Sequence, residues 1–257
     1  MIIHGPVKYL NQIQDSEKLR LFLDYDGTLA DFAPTPDEIY PDHQLIDLLK
    51  QLMSNTRIDV AIISGRRLSH IKKLVPLKGI LLAGTYGIEI LFPDGGQIDR
   101  VDFQEIRPIL EGIKPEWQKL IKPHANLYLE DKGWSLALHA KDVEEATADF
   151  VLGQARNLLI DIQGMNTDFR ILGGHKFLEI APLLANKGLA IEFFLNRQTY
   201  EALPVYIGDD DKDEEAFDKI LKYQGVAIKV FAQSCETKAQ LRIKDTRDVR
   251  QFLKSLL

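Results

Sequence analysis

The chain has 257 residues, 45% of them hydrophobic and 27% charged, an ordinary globular composition long enough for one or two domains with a sizeable core. A formal net charge of -6 argues against nucleic acid as the main partner, because polyanions need basic faces. No apolar run approaches the roughly 18 residues that span a membrane, and the single cysteine, Cys235, precludes an intramolecular disulfide.

The start, "MIIHGPVKYLNQIQ", lacks the charged beginning and continuous apolar centre of a signal peptide. The expectation is a soluble, cytoplasmic protein with neither a membrane nor a nucleic-acid partner. Next come three short aliphatic runs, "LRLFLDYD" (19–26), "IDVAIISG" (58–65) and "GILLAGTYG" (79–87); "PVYIGDD" (204–210) and "GVAIKV" (225–230) follow much later. Runs of this length and composition read as buried parallel strands. Helical stripes separate them, with Leu45, Leu48, Leu49 and Leu52 on one and Phe217, Ile220 and Leu221 on another. Strand–helix alternation of this kind implies right-handed crossovers and an α/β fold with a doubly wound parallel, Rossmann-like sheet. Ligands of such sheets bind beyond the carboxyl ends of the strands.

The middle of the chain changes character. "NLYLEDKGWSLALHAKD" reads as a hairpin with "DKG" near its turn, "DVEEATADFVLGQARNLL" as an amphipathic helix, and "DFRILGGHKFLEI" as a second hairpin turning at Gly173–Gly174. Residues 104–174 are therefore expected as a smaller α+β insert, and 1–103 with 175–257 as the core.

Four constellations carry the candidate chemistry. Asp24 and Asp26 stand two apart, so on an extended strand their carboxylates share one side and repel. A hard divalent cation, Mg2+ above all, relieves that conflict, and Gly27 permits a tight turn whose N–H groups face an anion. A polar turn or helix cap is the plainer alternative. In "GDDDKDEEAF" (208–217), Asp213, Glu214 and Glu215 suit a helix N-terminus. Asp209 and Asp210, at the mouth of a buried strand, are better read as metal-binding. A calcium loop starting at Asp209 would need Gly and Glu where Glu214 and Ile220 stand. Ser64, ending a strand in "IISGRR", serves equally as a phosphate hydrogen-bond donor or a helix cap. Lys187 starts a helical stripe, where most lysines are solvated. Zinc spacing among the histidines, a Walker loop and a nucleophile elbow are all absent from the sequence.

The order Asp-x-Asp-Gly-Thr, Ser, Lys, Gly-Asp-Asp-x-x-Asp resembles the haloacid-dehalogenase-type phosphohydrolases. "SGR" (64–66), "GHKFLEI" (174–180), "NKG" (186–188) and "LEDKGWSLALH" (129–139) are similar to the trehalose-6-phosphate phosphatase branch. The resemblance implies a nucleophile at Asp24, which becomes an aspartyl-phosphate, and a general acid and base at Asp26. It implies phosphoryl contacts from Ser64, Gly65 and Lys187, with Lys187 also catalytic, and substrate contacts from Arg66. Mg2+ would lie on Asp24, the backbone carbonyl of Asp26 and Asp209, with Asp210 and Asp213 close by. The insert would act as a cap whose Glu130, Lys132 and Glu179 grip sugar hydroxyls; without the resemblance, Glu130 and Lys132 read as an exposed hairpin ion pair. The implied substrate is a small sugar phosphate, with a functional link to a trehalose-phosphate synthase and a monomeric chain.

Three departures touch substrate-facing loops: Tyr86 where the family usually has His before Gly, His139-Ala140-Lys141 where it has His-Tyr-Arg, and "APLLANKG" where Arg and Pro are common. They leave phosphatase chemistry in place and open the sugar to alternatives such as sucrose-, glucosylglycerol- or mannosylglycerate-type phosphates. A non-catalytic sugar-phosphate sensor is the contrasting class, against which the intact acidic motifs argue.

Overall fold

The computed structural model describes residues 3–32, 40–165, 168–197, 199–231 and 236–257, with the backbone alone over 161–165. Cys235 lies outside the described residues. The chain starts with β1 (Ile3–His4), α1 (Val7–Asp15), β2 (Leu19–Leu23), α2 (His43–Ser54), β3 (Ile58–Ile63), α3 (Leu68–Leu74), β4 (Leu81–Gly84), β5 (Glu89–Leu91) and β6 (Gln97–Asp99). Then come α4 (Phe103–Ile121), β7 (Tyr128–Asp131), β8 (Leu136–His139), α5 (Glu145–Met165), β9 (Phe169–Gly174) and β10 (Phe177–Pro182). It closes with α6 (Lys187–Asn196), β11 (Leu203–Gly208), α7 (Glu214–Lys222), β12 (Val226–Val230), β13 (Leu241–Ile243) and α8 (Thr246–Lys254).

These elements form two compact units, Met1–Ile98 with Asn186–Leu257, and Asp99–Ala185. In the first, a nine-stranded sheet runs β1-β13-β12-β11-β2-β3-β4-β5-β6. From β13 to β4 the neighbours are parallel, while β1 and β5 join antiparallel. The pleat of β2 sorts its side chains between two cores. Leu19, Leu21 and Leu23 pack with Ile13, Leu45, Leu49, Ile71 and Val249 from α1, α2, α3 and α8, whereas Phe22 faces Ile191, Phe194, Phe217 and Ile220 from α6 and α7. Helices thus cover both faces of the sheet, as strand–helix alternation predicts.

The chain leaves β2 for β3 on one side and later returns to β11 on the other, so the switch point lies between β2 and β11. Pairing along β2 ends at Leu23 opposite Ile207 and Ile62, three residues short of the expected strand end. Asp24 still donates its N–H to the Ile207 carbonyl at 3.0 Å. Beyond it, Leu29 and Ala30 turn back onto the Tyr25 carbonyl, which sets Asp24 and Asp26 at the sheet's carboxyl edge.

The insert has a four-stranded antiparallel sheet, β7-β8-β10-β9, and the helices α4 and α5. Trp117 is buried and donates its indole N–H to the Ala155 carbonyl at 3.3 Å, tying α4 to α5. Two sequence expectations change here. The boundaries at 103/104 and 174/175 move to 98/99 and 185/186, because β10 pairs with both β8 and β9 and so belongs to the insert's sheet. The second hairpin turns at His175–Lys176, not at Gly173–Gly174, since Gly174 pairs with Phe177. Lys176 takes the left-handed turn position with φ 54°. Among the described residues no helix is long and apolar enough to cross a membrane.

Candidate active site

Asp24, Asp209 and Asp213 each place a carboxylate oxygen within 4.8 Å of the others at the switch point. Gly27 makes room: its φ of 75° is a glycine conformation, and a Cβ there would lie 2.2 Å from Asp209 Oδ2. Thr28 Oγ1 donates to Asp209 Oδ1 at 3.3 Å. Into this acidic cluster α6 delivers Lys187 from its first turn, just after the Asn186 side chain caps the helix by accepting from Leu189 N–H. The Lys187 ammonium donates to Asp24 Oδ1 at 2.8 Å and to Asp213 Oδ1 at 2.6 Å, and all three residues are buried. Asp213 also accepts from Tyr206 Oη at 2.6 Å and from the Asp210 N–H at 2.8 Å.

The electrostatics follow from burial and crowding. Burial works against the Lys187 ammonium, but Asp213 and Asp24 more than offset it and hold its pKa above that of an ordinary lysine. Burial, together with repulsion from Asp213 and Asp209, pushes the Asp24 carboxyl well up against the attraction of Lys187. Burial and Asp213 raise Asp209 to about 7. Three carboxyl groups against one ammonium, two of the acids buried and Asp209 partly so, crowd more acid than cation into one place, and that is the oxygen donor set a hard divalent ion fits.

Asp26 does not share this cluster. Its two oxygens accept from Arg66 Nε at 2.7 Å and Arg66 Nη2 at 2.8 Å, a bidentate pair. The crowding expected between Asp24 and Asp26 is therefore absent: each meets its own cation, and the carboxylates that press on Asp24 are Asp213 and Asp209. Arg66, expected on substrate, grips Asp26. Asp210 turns to Lys212 at 2.9 Å, so its carboxylate stands apart from the convergent three. Ser64 is fully buried, and its Oγ accepts from the Arg66 N–H at 3.1 Å.

The turn after β4 braces this Ser64–Arg66 loop. Thr85 donates its N–H to the Arg66 carbonyl at 2.7 Å, and Tyr86 donates to the Ser64 carbonyl at 2.8 Å. Both are left-handed, with φ of 47° and 56°, and non-glycine residues there store about 1–3 kcal/mol each. Glu89 stabilises the turn by accepting from Thr85 Oγ1 at 2.9 Å and from the Leu68 N–H at 3.0 Å.

In the insert, Glu130 and Lys132 alternate along the chain at β7, and Glu130 and Glu179 both stand opposite Ala137. Glu179 is fully buried and accepts from Lys132 Nζ at 3.1 and 3.2 Å and from Ser135 Oγ at 2.5 Å. Glu130 lies 2.9 Å from His139 Nε2. Lys132 Nζ also lies 3.9 Å from Glu130 Oε2, so the three expected residues share one polar network, joined by His139 and by Ser135, which the sequence did not single out. Tyr206 and Lys229 were also missed. Each is a polar-tipped residue in an otherwise apolar strand, and Lys229 Nζ holds the Asp210 carbonyl at 2.9 Å. That break in pattern is the available signal.

Comparison with known proteins agrees with this architecture. The trehalose-phosphatase family model matches residues 22–247. Trehalose-phosphate phosphatase B of Arabidopsis thaliana is 31% identical over 94% of this chain and 67% of its own length. The Arabidopsis protein named probable trehalose-phosphate phosphatase C is 32% identical over 95% and 78%. Among solved structures, the C-terminal domain of the C. albicans trehalose-6-phosphate phosphatase superposes with a TM-score of 0.85 at 20% identity, covering 98% of each chain; that likeness speaks to the fold. The chain belongs to the trehalose-phosphatase family, phosphoric monoester hydrolases of the haloacid-dehalogenase superfamily.

Proposed function

We propose that the protein hydrolyses trehalose 6-phosphate to trehalose and inorganic phosphate through an aspartyl-phosphate at Asp24. The observation that carries the reading is Lys187, buried between Asp24 and Asp213 beside Asp209 at the sheet's switch point. A lysine there serves no solvated role and balances a nucleophile that must meet an anion. An Asp24 oxygen attacks phosphorus, the bond from phosphorus to the sugar oxygen breaks, and Asp26, entering the step protonated and released from its Arg66 pair, delivers that proton to the leaving oxygen. Asp26 then takes a proton from water, whose oxygen attacks phosphorus and breaks the bond to Asp24. Ser64 and the Gly65 amide hold phosphoryl oxygens, and Lys187 offsets their charge.

Asp24 and Asp209, with the Asp26 carbonyl, would hold Mg2+, with Asp213 adjoining. Bound there, the ion neutralises phosphoryl and carboxylate charge. Residues 99–185 serve as the cap, and the Glu130–Lys132–Glu179 network takes sugar hydroxyls, a carboxylate pairing naturally with neighbouring hydroxyl donors.

Phosphate release from a panel of sugar phosphates, with and without Mg2+, tests the reading. Turnover is expected with trehalose 6-phosphate and Mg2+, and none from Asp24→Asn, which leaves the circular dichroism spectrum unchanged. Preference for another glycosyl phosphate overturns the substrate, absence of turnover on every member favours a sensor, and substantial Asp24→Asn activity sinks the aspartyl-phosphate route.

A further inference from the structure

We propose that Tyr86 is a positioning residue for the phosphate-holding loop Ser64–Arg66. The proposal rests on the function assigned to that loop above and adds what holds it in shape. Three contacts converge on three consecutive residues. The Tyr86 N–H holds the Ser64 carbonyl at 2.8 Å and the Thr85 N–H holds the Arg66 carbonyl at 2.7 Å. Between them the Tyr86 ring lies against Gly65, so close that a Cβ on Gly65 would stand 2.7 Å from the ring. The ring is buried, and packing of that density leaves the Gly65 peptide little freedom.

The conformation that presents this ring is unfavourable for its own residues. Thr85 and Tyr86 are both left-handed at φ 47° and 56°, and a β-branched residue there is an outlier. Strain of this sort persists where surrounding contacts over-determine it, and it concentrates at functional sites. Here the consequences reach two side chains. Ser64 Oγ is tied to the Arg66 N–H at 3.1 Å, and the Arg66 guanidinium grips Asp26. The turn therefore fixes the Ser64 and Arg66 backbone directly, and through the Arg66 N–H and guanidinium it orients the Ser64 hydroxyl and Asp26.

The test is the affinity for inorganic phosphate, measured by titration calorimetry in Mg2+ on the full chain. Tyr86→Gly suits the left-handed backbone but empties a buried aromatic site, so it is expected to stay folded at a lowered melting temperature while binding phosphate about tenfold more weakly or worse. Tyr86→Phe, which retains the ring, is expected to rescue most of that loss. Should the glycine variant unfold, Tyr86→Asn, also tolerant of the left-handed region, replaces it. Equal phosphate binding by wild type and the small variant overturns the role of Tyr86, and so does Tyr86→Phe binding as weakly as Tyr86→Gly. Unfolding of both small variants makes the residue structural and overturns the proposal too. Wild-type protein that binds no phosphate overturns the reading of the loop itself, a distinguishable result.

Discussion

At the residue scale, Lys187 decides how the acids of the site coexist. Its ammonium touches Asp24 and Asp213, 163 and 26 residues away in sequence. Replacing it with methionine keeps the bulk and leaves two buried carboxylates without their cation. Breaking a buried pair from one side typically costs about 3–5 kcal/mol. Lys187→Met is therefore expected to lose that much stability in metal-free urea unfolding, and Asp213→Asn in the same chain to restore most of it. Equal stability of Lys187→Met and wild type would refute the pairing. The sequence made only part of this legible. Asp24 and Asp209 stand out because carboxylates at the end of an apolar run conflict with burial. Lys187 does not, because a lysine on a helix is solvated unless distant residues meet it, and those partners are set by topology. Tyr206 and Lys229 were legible in principle as polar tips in apolar strands. Position alone explains Asp213 by the helix dipole and only the resemblance puts it near the metal, whereas its burial and its bond to Lys187 come from the crossing of β11, α6 and α7.

At the element scale, the insert depends on how α4 is fastened to β7. Arg107 donates from Nη1 to Asp131 Oδ1 at 2.7 Å and from Nη2 to Oδ2 at 2.8 Å, and Lys114 reaches Oδ2 at 2.7 Å. The hydrogen bonds from Arg107, then those from Lys114 and the Gly133 N–H, outweigh desolvation and hold the Asp131 carboxyl far below the usual carboxylate range. A depressed folded-state pKa means that the unfolded chain takes up its proton first as pH falls. The stabilisation is thus complete above the unfolded value of about 4 and drains away on further acidification. Asp131→Asn is expected to cost on the order of 1–2 kcal/mol at neutral pH, since the pair is partly solvated, and to flatten the acid limb of stability below about pH 4. Thermal melts from pH 7 to pH 2 check this; parallel curves for variant and wild type would remove Asp131 as the acid-sensitive fastening. The hairpin itself was legible, because alternation over "NLYLEDKGWSLALH" specifies an antiparallel pair. The last two strands at each end of the large sheet were not: β1, β13, β5 and β6 have two or three residues each, too few to show a period. The second turn misled because glycines attract turn assignments, while Lys176 adopts the left-handed conformation.

At the scale of the whole molecule, a buried site with three acids and one base couples folding to a cation and to pH. Asp209 is raised to about 7 by burial and Asp213, and burial raises Asp24 too. For a raised carboxyl the folded chain holds its proton longer than the unfolded chain does. Metal-free stability therefore falls as pH rises from about 4, where the unfolded groups ionise, to about 7, where Asp209 does. A divalent ion needs those carboxylates ionised, so its binding releases protons and strengthens across the same window. Mg2+ at about 100 times its dissociation constant adds about 2.7 kcal/mol. The expected result is a melting temperature that declines between pH 4 and pH 7 with chelator and recovers with Mg2+, the recovery growing towards pH 7. Asp209→Asn should remove both the decline and most of the recovery, since it takes away one repelling charge and one ligand together. A Mg2+ shift as large in Asp209→Asn as in wild type would place the ion elsewhere. A decline that persists in that variant would assign the pH dependence to Asp24.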